Sequence, residues 1–351
     1  MNTKPLFKLM VEKQASDLFF TPYAPVMVKI EGKIMPVNQT ELSPKMIKQA
    51  ALTLMTDDQA DAFARELEID FAISEPGLGR FRVNVFHQRG NPAMVMRYIT
   101  GDLPRLDELG VPKVLKDLSL RKRGLILMVG ATGSGKSTTL AGMINHRNEH
   151  TANHILTIED PIEFLHPNKQ SIINQREVGV DTMSYERALK SAMREAPDVI
   201  LVGEIRDRET MEASLALAGT GHLAISTLHA NNTAETLDRI INMFPHAQHA
   251  QILMDLSQYL RAIISQRLIS SKDGKRVAAV EVMINTPHIA DLVKVGDIAG
   301  VKEAHQESNE PGMQTFDDSL YDLYRRGAIE LDAALINADS RANLEAKINF
   351  A

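Results

Sequence analysis

The chain contains no cysteine and no tryptophan. Without thiolates it can build neither a disulfide nor a cysteine-ligated zinc module. Aromatic residues reach only 5%, so there are few platforms on which the bases of a single-stranded nucleic acid could stack. Positive charge is short as well. Thirty-nine Lys and Arg stand against 45 Asp and Glu, a net charge of −6, whereas a protein that wraps nucleic acid carries a basic surface. The densest basic cluster, Arg121-Lys122-Arg123, reads as a solvated linker. No apolar run approaches the roughly 18 residues that span a bilayer. The opening MNTKPLFKLMVEKQ lacks a continuous signal-peptide core and instead suggests a short amphipathic helix around Leu6, Leu9 and Met10. The expectation is a cytoplasmic protein with no transmembrane segment and no nucleic-acid partner.

What is present is ordinary globular material. The chain has 351 residues, 44% of them apolar, enough for two domains with their own cores. Residues 1–100 read as an α+β domain. VMVKIEGKIMPV (26–37) places two β-like runs around Glu31-Gly32, and 43–67 has helical spacing interrupted near Thr56-Asp57. In 79–99 the alternation puts Phe81, Val83 and Val85 on one face and Arg80, Arg82 and Asn84 on the other, with HQRGNP as the turn. Residues 101–123 carry two prolines and read as a linker. From 124 to about 240, apolar strand-like runs alternate with helical patterns, which predicts a mostly parallel α/β sheet. The remainder reads mainly as helix, with one further β-like stretch at 276–284.

Four of the strand-like runs end in chemistry. GLILMVG (124–130) leads into ATGSG and then a helical pattern, so G-x-x-x-x-G-K-S lies between a strand and a helix. That context predicts a phosphate-binding loop. Gly130, Gly133 and Gly135 let the backbone curl closely around a phosphate, and Thr132, Ser134 and Thr138 complete the candidate nucleotide-binding set. Lys136 would reach the β- and γ-phosphates, and the Ser137 hydroxyl would ligate Mg2+. HILTIEDPIEF ends in Glu159, Asp160 and Glu163; DVILVGEIRD delivers Glu204; HLAISTLHANN delivers His229. The carboxyl ends of parallel strands share one edge, and ligands bind there. The chemistry such an edge allows is transfer of the ATP γ-phosphoryl to water, with Glu204 and Glu163 as candidate catalytic carboxylates and His229 as a γ-phosphate sensor. Many P-loop ATPases carry an aspartate just before the catalytic glutamate; here that position is Gly203. A nucleic-acid translocase and a nucleotide-binding regulator with little hydrolysis are the competing classes.

GATGSGKSTT, TIEDPIEF, DVILVGEIRD and GHLAISTLHANN resemble, in order and spacing, the signature boxes of the secretion and type IV pilus ATPases. The likeness continues through NQREVGVDTMSYERALKSAMREAPD (174–198), ISQRLI (264–269) and GMQTFDDSLYDLY (312–324). It is strongest to the pilus retraction ATPases. The resemblance implies a homo-hexamer whose subunits have a PAS-like N-terminal domain (1–100) and a RecA-like ATPase domain (124–351). It implies work on an inner-membrane platform protein from the cytoplasmic face. It matches Glu163 to the acidic residue of an aspartate-rich box, Glu204 to the catalytic glutamate, and His222 and His229 to a histidine box. It places Arg82 and Arg97 in the stretch that supplies arginines toward a nucleotide. The missing cysteines favour retraction over assembly ATPases, which commonly carry a four-cysteine module. Principal retraction motors carry a stretch close to AIRNLIREGK, and the corresponding HIADLVKVGD (288–297) lacks its Arg-Asn pair and central Arg. The implied role is therefore the accessory retraction motor, with the principal motor as a partner.

Overall fold

A computed structural model describes residues 3–350, which group into two compact units. The first comprises the chain up to Asp102 together with Ile162–Leu165; the second comprises Leu103–Pro161 and the chain from His166 onward.

The first unit contains α1 (Lys4–Glu12), β1 (Asp17–Phe20), β2 (Met27–Ile30), β3 (Lys33–Pro36), α2 (Pro44–Leu54), α3 (Asp57–Glu66), β4 (Glu68–Glu75), β5 (Gly79–Gln88) and β6 (Asn91–Ile99). Its strands form one sheet in the order β3-β2-β1-β6-β5-β4, with every neighbouring pair antiparallel. The Glu31-Gly32 hairpin is formed as expected. The helical stretch breaks where Thr56 caps α3 by accepting from the Gln59 N–H, while the Gln59 side chain accepts from the Thr56 N–H. Phe81, Val83 and Val85 are fully buried against Phe7, Met10, Ile47 and Phe63 from the three helices. The residues between them face the other side of the sheet.

The second unit opens with α4 (Val114–Ser119). It then alternates β7 (Gly124–Val129), α5 (Lys136–His150), β8 (His154–Glu159), β9 (Ile172–Glu177), α6 (Tyr185–Ala192), β10 (Val199–Val202), α7 (Arg208–Gly219) and β11 (Leu223–Leu228). There follow α8 (Thr233–Asn242), α9 (His249–Tyr259), β12 (Leu260–Ser270), β13 (Arg276–Ile284), α10 (Pro287–Val295), α11 (Ile298–Gln306), α12 (Phe316–Arg325), α13 (Leu331–Asn337) and α14 (Arg341–Phe350). The sheet order is β13-β12-β7-β11-β10-β8-β9. All neighbouring pairs are parallel except β12 with β13. The strands read as continuous apolar runs because both faces are covered. Leu125, Leu127 and Val129 of β7 join the cluster under α7–α9, whereas Ile126 and Met128 join the cluster under α4 and α5. The helices α12–α14 pack as a separate cluster around Phe316, Leu320 and Leu344, seated on Ile269 of β12 and Ala279 of β13.

Sequence patterning anticipated β13 but not β12, where helix was expected. Leu260, Ile263, Ile264 and Leu268 sit at helical spacing, and α9 runs into the strand at Leu260 with no Gly or Pro between them. The pattern arises because β12 is buried on both faces beside β7, which removes the period-two alternation.

Candidate functional site

β7 ends in Val129, and the loop Gly130–Gly135 turns the chain into α5. Two glycines there are compulsory. A side chain at Gly130, at φ +143°, would place its Cβ 2.4 Å from the Gln266 carbonyl oxygen and 2.7 Å from Ser134 Oγ. One at Gly135, at φ +87°, would meet the Gln266 side-chain nitrogen at 2.7 Å. Gly135 is also the N-cap of α5. It offers no side-chain cap, and the first turn carries no acidic residue. The first N–H groups of a helix have no preceding turn to bond, so this end favours an anion. Lys136 folds back over the loop, donating to the carbonyls of Gly130 (2.7 Å) and Ala131 (2.9 Å). Thr132 and Gly133 are exposed at the tip, Ser134 is buried, and Ser137 and Thr138 are half-buried in the first turn of α5.

The strand order brings the ends of β7, β11, β10 and β8 side by side along one edge. Glu204, just past β10, has both carboxylate oxygens engaged. Oε1 accepts from His229 Nε2 at 2.9 Å, and Oε2 accepts from Arg206 Nε at 2.8 Å. A carboxylate only accepts, so with Glu204 ionised the hydrogen of His229 lies on Nε2. Arg206 also stands 3.7 Å from Asp160, just past β8. Its guanidinium is held charged still more firmly by the hydrogen bond and charge of Glu204. Glu159 accepts from Thr157 Oγ1 at 2.6 Å.

Gly203 sits in a tight place. A Cβ there would lie 2.8 Å from the Tyr185 hydroxyl and 3.2 Å from the Glu159 Cα. An aspartate before Glu204 would have to displace the Tyr185 hydroxyl; with glycine there, Ser137, Glu204 and their neighbours are the oxygen donors at this edge. The Ser137 hydroxyl is a suitable ligand for Mg2+, which would neutralise phosphate charge.

His222 stands apart. It precedes β11, at the opposite end of the six-residue strand from His229, about 20 Å away. Its ring binds the Leu217 carbonyl (3.2 Å) and the Thr220 hydroxyl (3.1 Å), at the C-terminus of α7. Glu163, Arg82 and Arg97 belong to the first unit. Glu163 is exposed. Arg82 and Arg97 are direct partners across β5 and β6. Arg97 donates to the buried Asp17 at 2.8 Å, and Arg82 lies 3.5 Å from Asp70. Sequence reasoning missed Arg206 and Gln266 as neighbours of the site. Arg206 lies two residues from Glu204 in DVILVGEIRD, and Gln266 lies within ISQRLI.

The family model of type II/IV secretion system proteins matches residues 2–324. Over all 351 residues the sequence is 50% identical to the type IV pilus ATPase PilU of Pseudomonas aeruginosa, covering 92% of that protein. It is 42% identical over 334 residues to the type IV pilus retraction ATPase PilT of the same organism, covering 95% of this chain and 97% of that one. A crystal structure of the pilus retraction motor PilT with bound ADP matches with a TM-score of 0.92 at 40% identity, covering 99% of each chain.

Proposed function

This chain belongs to the type II/IV secretion system protein family, in its pilus retraction ATPase branch, and from that premise we propose that it hydrolyses ATP to drive retraction of a type IV pilus. The observation that carries the reading is one edge of one sheet. The Gly130–Ser137 loop, Glu204 and His229 follow the adjacent strands β7, β10 and β11. The ADP bound in the structure of PilT supports the same reading.

The residue roles follow from the chemistry. Gly130, Thr132, Gly133, Ser134 and Gly135 surround the phosphates with backbone, together with the first turn of α5 that bears Thr138. Lys136 leaves its loop carbonyls for the β- and γ-phosphates, and Ser137 holds Mg2+. Glu204, oriented at both oxygens, accepts a hydrogen bond from the attacking water, and His229 reports the γ-phosphate through its contact with Glu204. The family resemblance, not the geometry, is what supports Glu163 as a second carboxylate and Arg82 and Arg97 as nucleotide-directed arginines. The active assembly is a homo-hexamer of subunits with a PAS-like domain and a RecA-like domain. It works peripherally at the inner membrane on a platform protein, as the accessory partner of a principal retraction motor.

The test separates binding from turnover. Lys136→Ala should abolish phosphate release. Glu204→Gln keeps the shape and removes the charge, so ADP affinity should stay within about threefold while turnover falls at least about a hundredfold. Normal turnover by Glu204→Gln would remove Glu204 from the mechanism.

A further inference from the structure

The stretch ISQRLI takes no part in the chemistry above, yet its three polar side chains reach three parts of the second unit. Side chains alternate along a strand, and on β12 this sends Gln266 to one face and Ser265 and Arg267 to the other. Gln266 is 2% exposed. Its side-chain oxygen accepts from Thr139 Oγ1 on α5 at 2.8 Å, and its nitrogen donates to the Ser134 carbonyl at 2.9 Å. It therefore binds the loop and the helix that the loop enters, and it packs against both compulsory glycines.

On the other face, Ser265 Oγ and Arg267 Nη2 both donate to the Asn231 carbonyl, at 3.1 and 3.2 Å. Asn231 lies between His229 and Asn232, the N-cap of α8. Arg267 also reaches away from the site. Its Nη1 donates to the Asn337 carbonyl at the end of α13 (2.7 Å), and its Nη2 pairs with Asp339 between α13 and α14 (2.6 Å). Its guanidinium lies 3.8 Å from the ring centre of Phe316, the first residue of α12. Asp339 is tied back to α12 by its N–H, which donates to Asp317 at 2.8 Å.

We propose that Gln266 and Arg267 are positioning residues that join the phosphate loop and the His229 loop to the helices α12–α14, so that filling the loop tightens the docking of α13 and α14. The proposal rests on the nucleotide reading above. β12 is suited to the task because it is held on both sides, by β7 and along its length by β13. It cannot slip independently of the loop. Coupling of this kind is reciprocal: what tightens the helices when nucleotide binds must also raise nucleotide affinity when the helices are docked.

The experiment is hydrogen exchange on the full chain with and without MgADP, together with ADP affinity. In the wild type, ADP should slow exchange in 331–350 by about fivefold or more. Arg267→Gln should abolish that ratio and, by reciprocity, weaken ADP binding by about the same factor. Asp339→Asn removes the arginine's partner with the arginine in place and should act in the same direction, which covers a poorly folding Arg267→Gln. Gln266→Leu leaves two buried partners unmade and should weaken ADP binding about tenfold. A merely structural Arg267 would raise exchange equally with and without ADP and preserve the ratio; that result overturns the proposal. So does a wild-type ratio of one, or an unchanged ADP affinity in Gln266→Leu. A wild type that binds no ADP overturns the nucleotide reading itself and this proposal with it.

Discussion

Glu281 and His305 are buried side by side, and burial disfavours the charged form of each. Glu281, on β13, accepts from the Thr233 N–H (2.9 Å) and Oγ1 (3.3 Å) at the start of α8. His305 Nε2 lies 3.1 and 3.2 Å from the carbonyls of Val282 and Gln314 and donates to them. The other ring nitrogen, Nδ1, therefore presents its lone pair to Glu281 Oε1, 3.7 Å away. Burial pushes the Glu281 carboxyl up to about 8 and lowers the affinity of His305 for its proton. The two groups act on stability with opposite signs. A buried neutral histidine costs stability as pH falls below 6.5, where the unfolded chain takes up the proton. A carboxyl with a raised folded value keeps its full contribution below 4.5 and loses it as pH rises through 8. Between 6.5 and 8 only the Glu281 loss remains for this pair. Urea unfolding should therefore show wild-type stability falling there by up to about 1.4 kcal/mol per pH unit from this group. Glu281→Gln imitates the protonated form and should flatten that slope. An unchanged slope in the variant would show that Glu281 is already ionised in the folded chain at pH 6.5.

The junction of β7, the glycine loop and α5 was legible because its demands are local. A buried strand, a glycine-rich turn and a helical pattern follow one another within about 25 residues, and each signals itself. The structure sharpens which glycine matters. Gly130→Ala drives a Cβ into the Gln266 carbonyl, whereas a Cβ at Gly133 meets nothing within 4 Å and carries only the strain of φ +78°. Gly130→Ala should cost about 1–3 kcal/mol of stability and at least tenfold in ADP affinity. Gly133→Ala should cost about 1 kcal/mol or less in stability. Equal stability losses for the two, in parallel denaturant and ADP titrations, would mean that the clash at Gly130 is relieved by movement of β12. The hairpin at Glu31-Gly32 and the helix break near Thr56-Asp57 were legible for the same local reason. β12 was not, because its burial between β7 and β13 is set by residues far along the chain. Arg206 and Gln266 escaped for that reason too. Arg206 bridges Glu204 and Asp160 only because β10 and β8 are neighbours, and Gln266 reaches Ser134 only because β12 lies beside β7.

The segment HIADLVKVGD separates folding from coupling. It supplies most of α10, in which Ile289 and Val293 are buried and Leu292 packs against the same core. Gly296 then ends the helix in a left-handed turn, at φ +77°. Set against AIRNLIREGK, the positions that fold the helix keep apolar residues and the final glycine. The positions that change include the exposed Asp291, Lys294, Val295 and Asp297. The arginines are gone, two aspartates have appeared, and Val295 leaves a large apolar side chain 73% exposed. Packing does not explain such a pattern, because exposed positions on a helix are nearly neutral for stability. We read the changed face as a changed contact, since the nucleotide-edge residues Lys136, Ser137, Glu204 and His229 are all retained. Under the proposed accessory role, hydrolysis would continue while full engagement of the fibre machinery would need the principal motor. Deleting the gene should leave pilus retraction present but weaker or less frequent against load. Cells that keep only this ATPase should fail to retract at normal force, even when it is expressed in excess. Force measurements on single pili distinguish the cases. Retraction at full force in cells with this ATPase alone would assign the protein to the principal-motor class and make the changed face of α10 irrelevant to coupling.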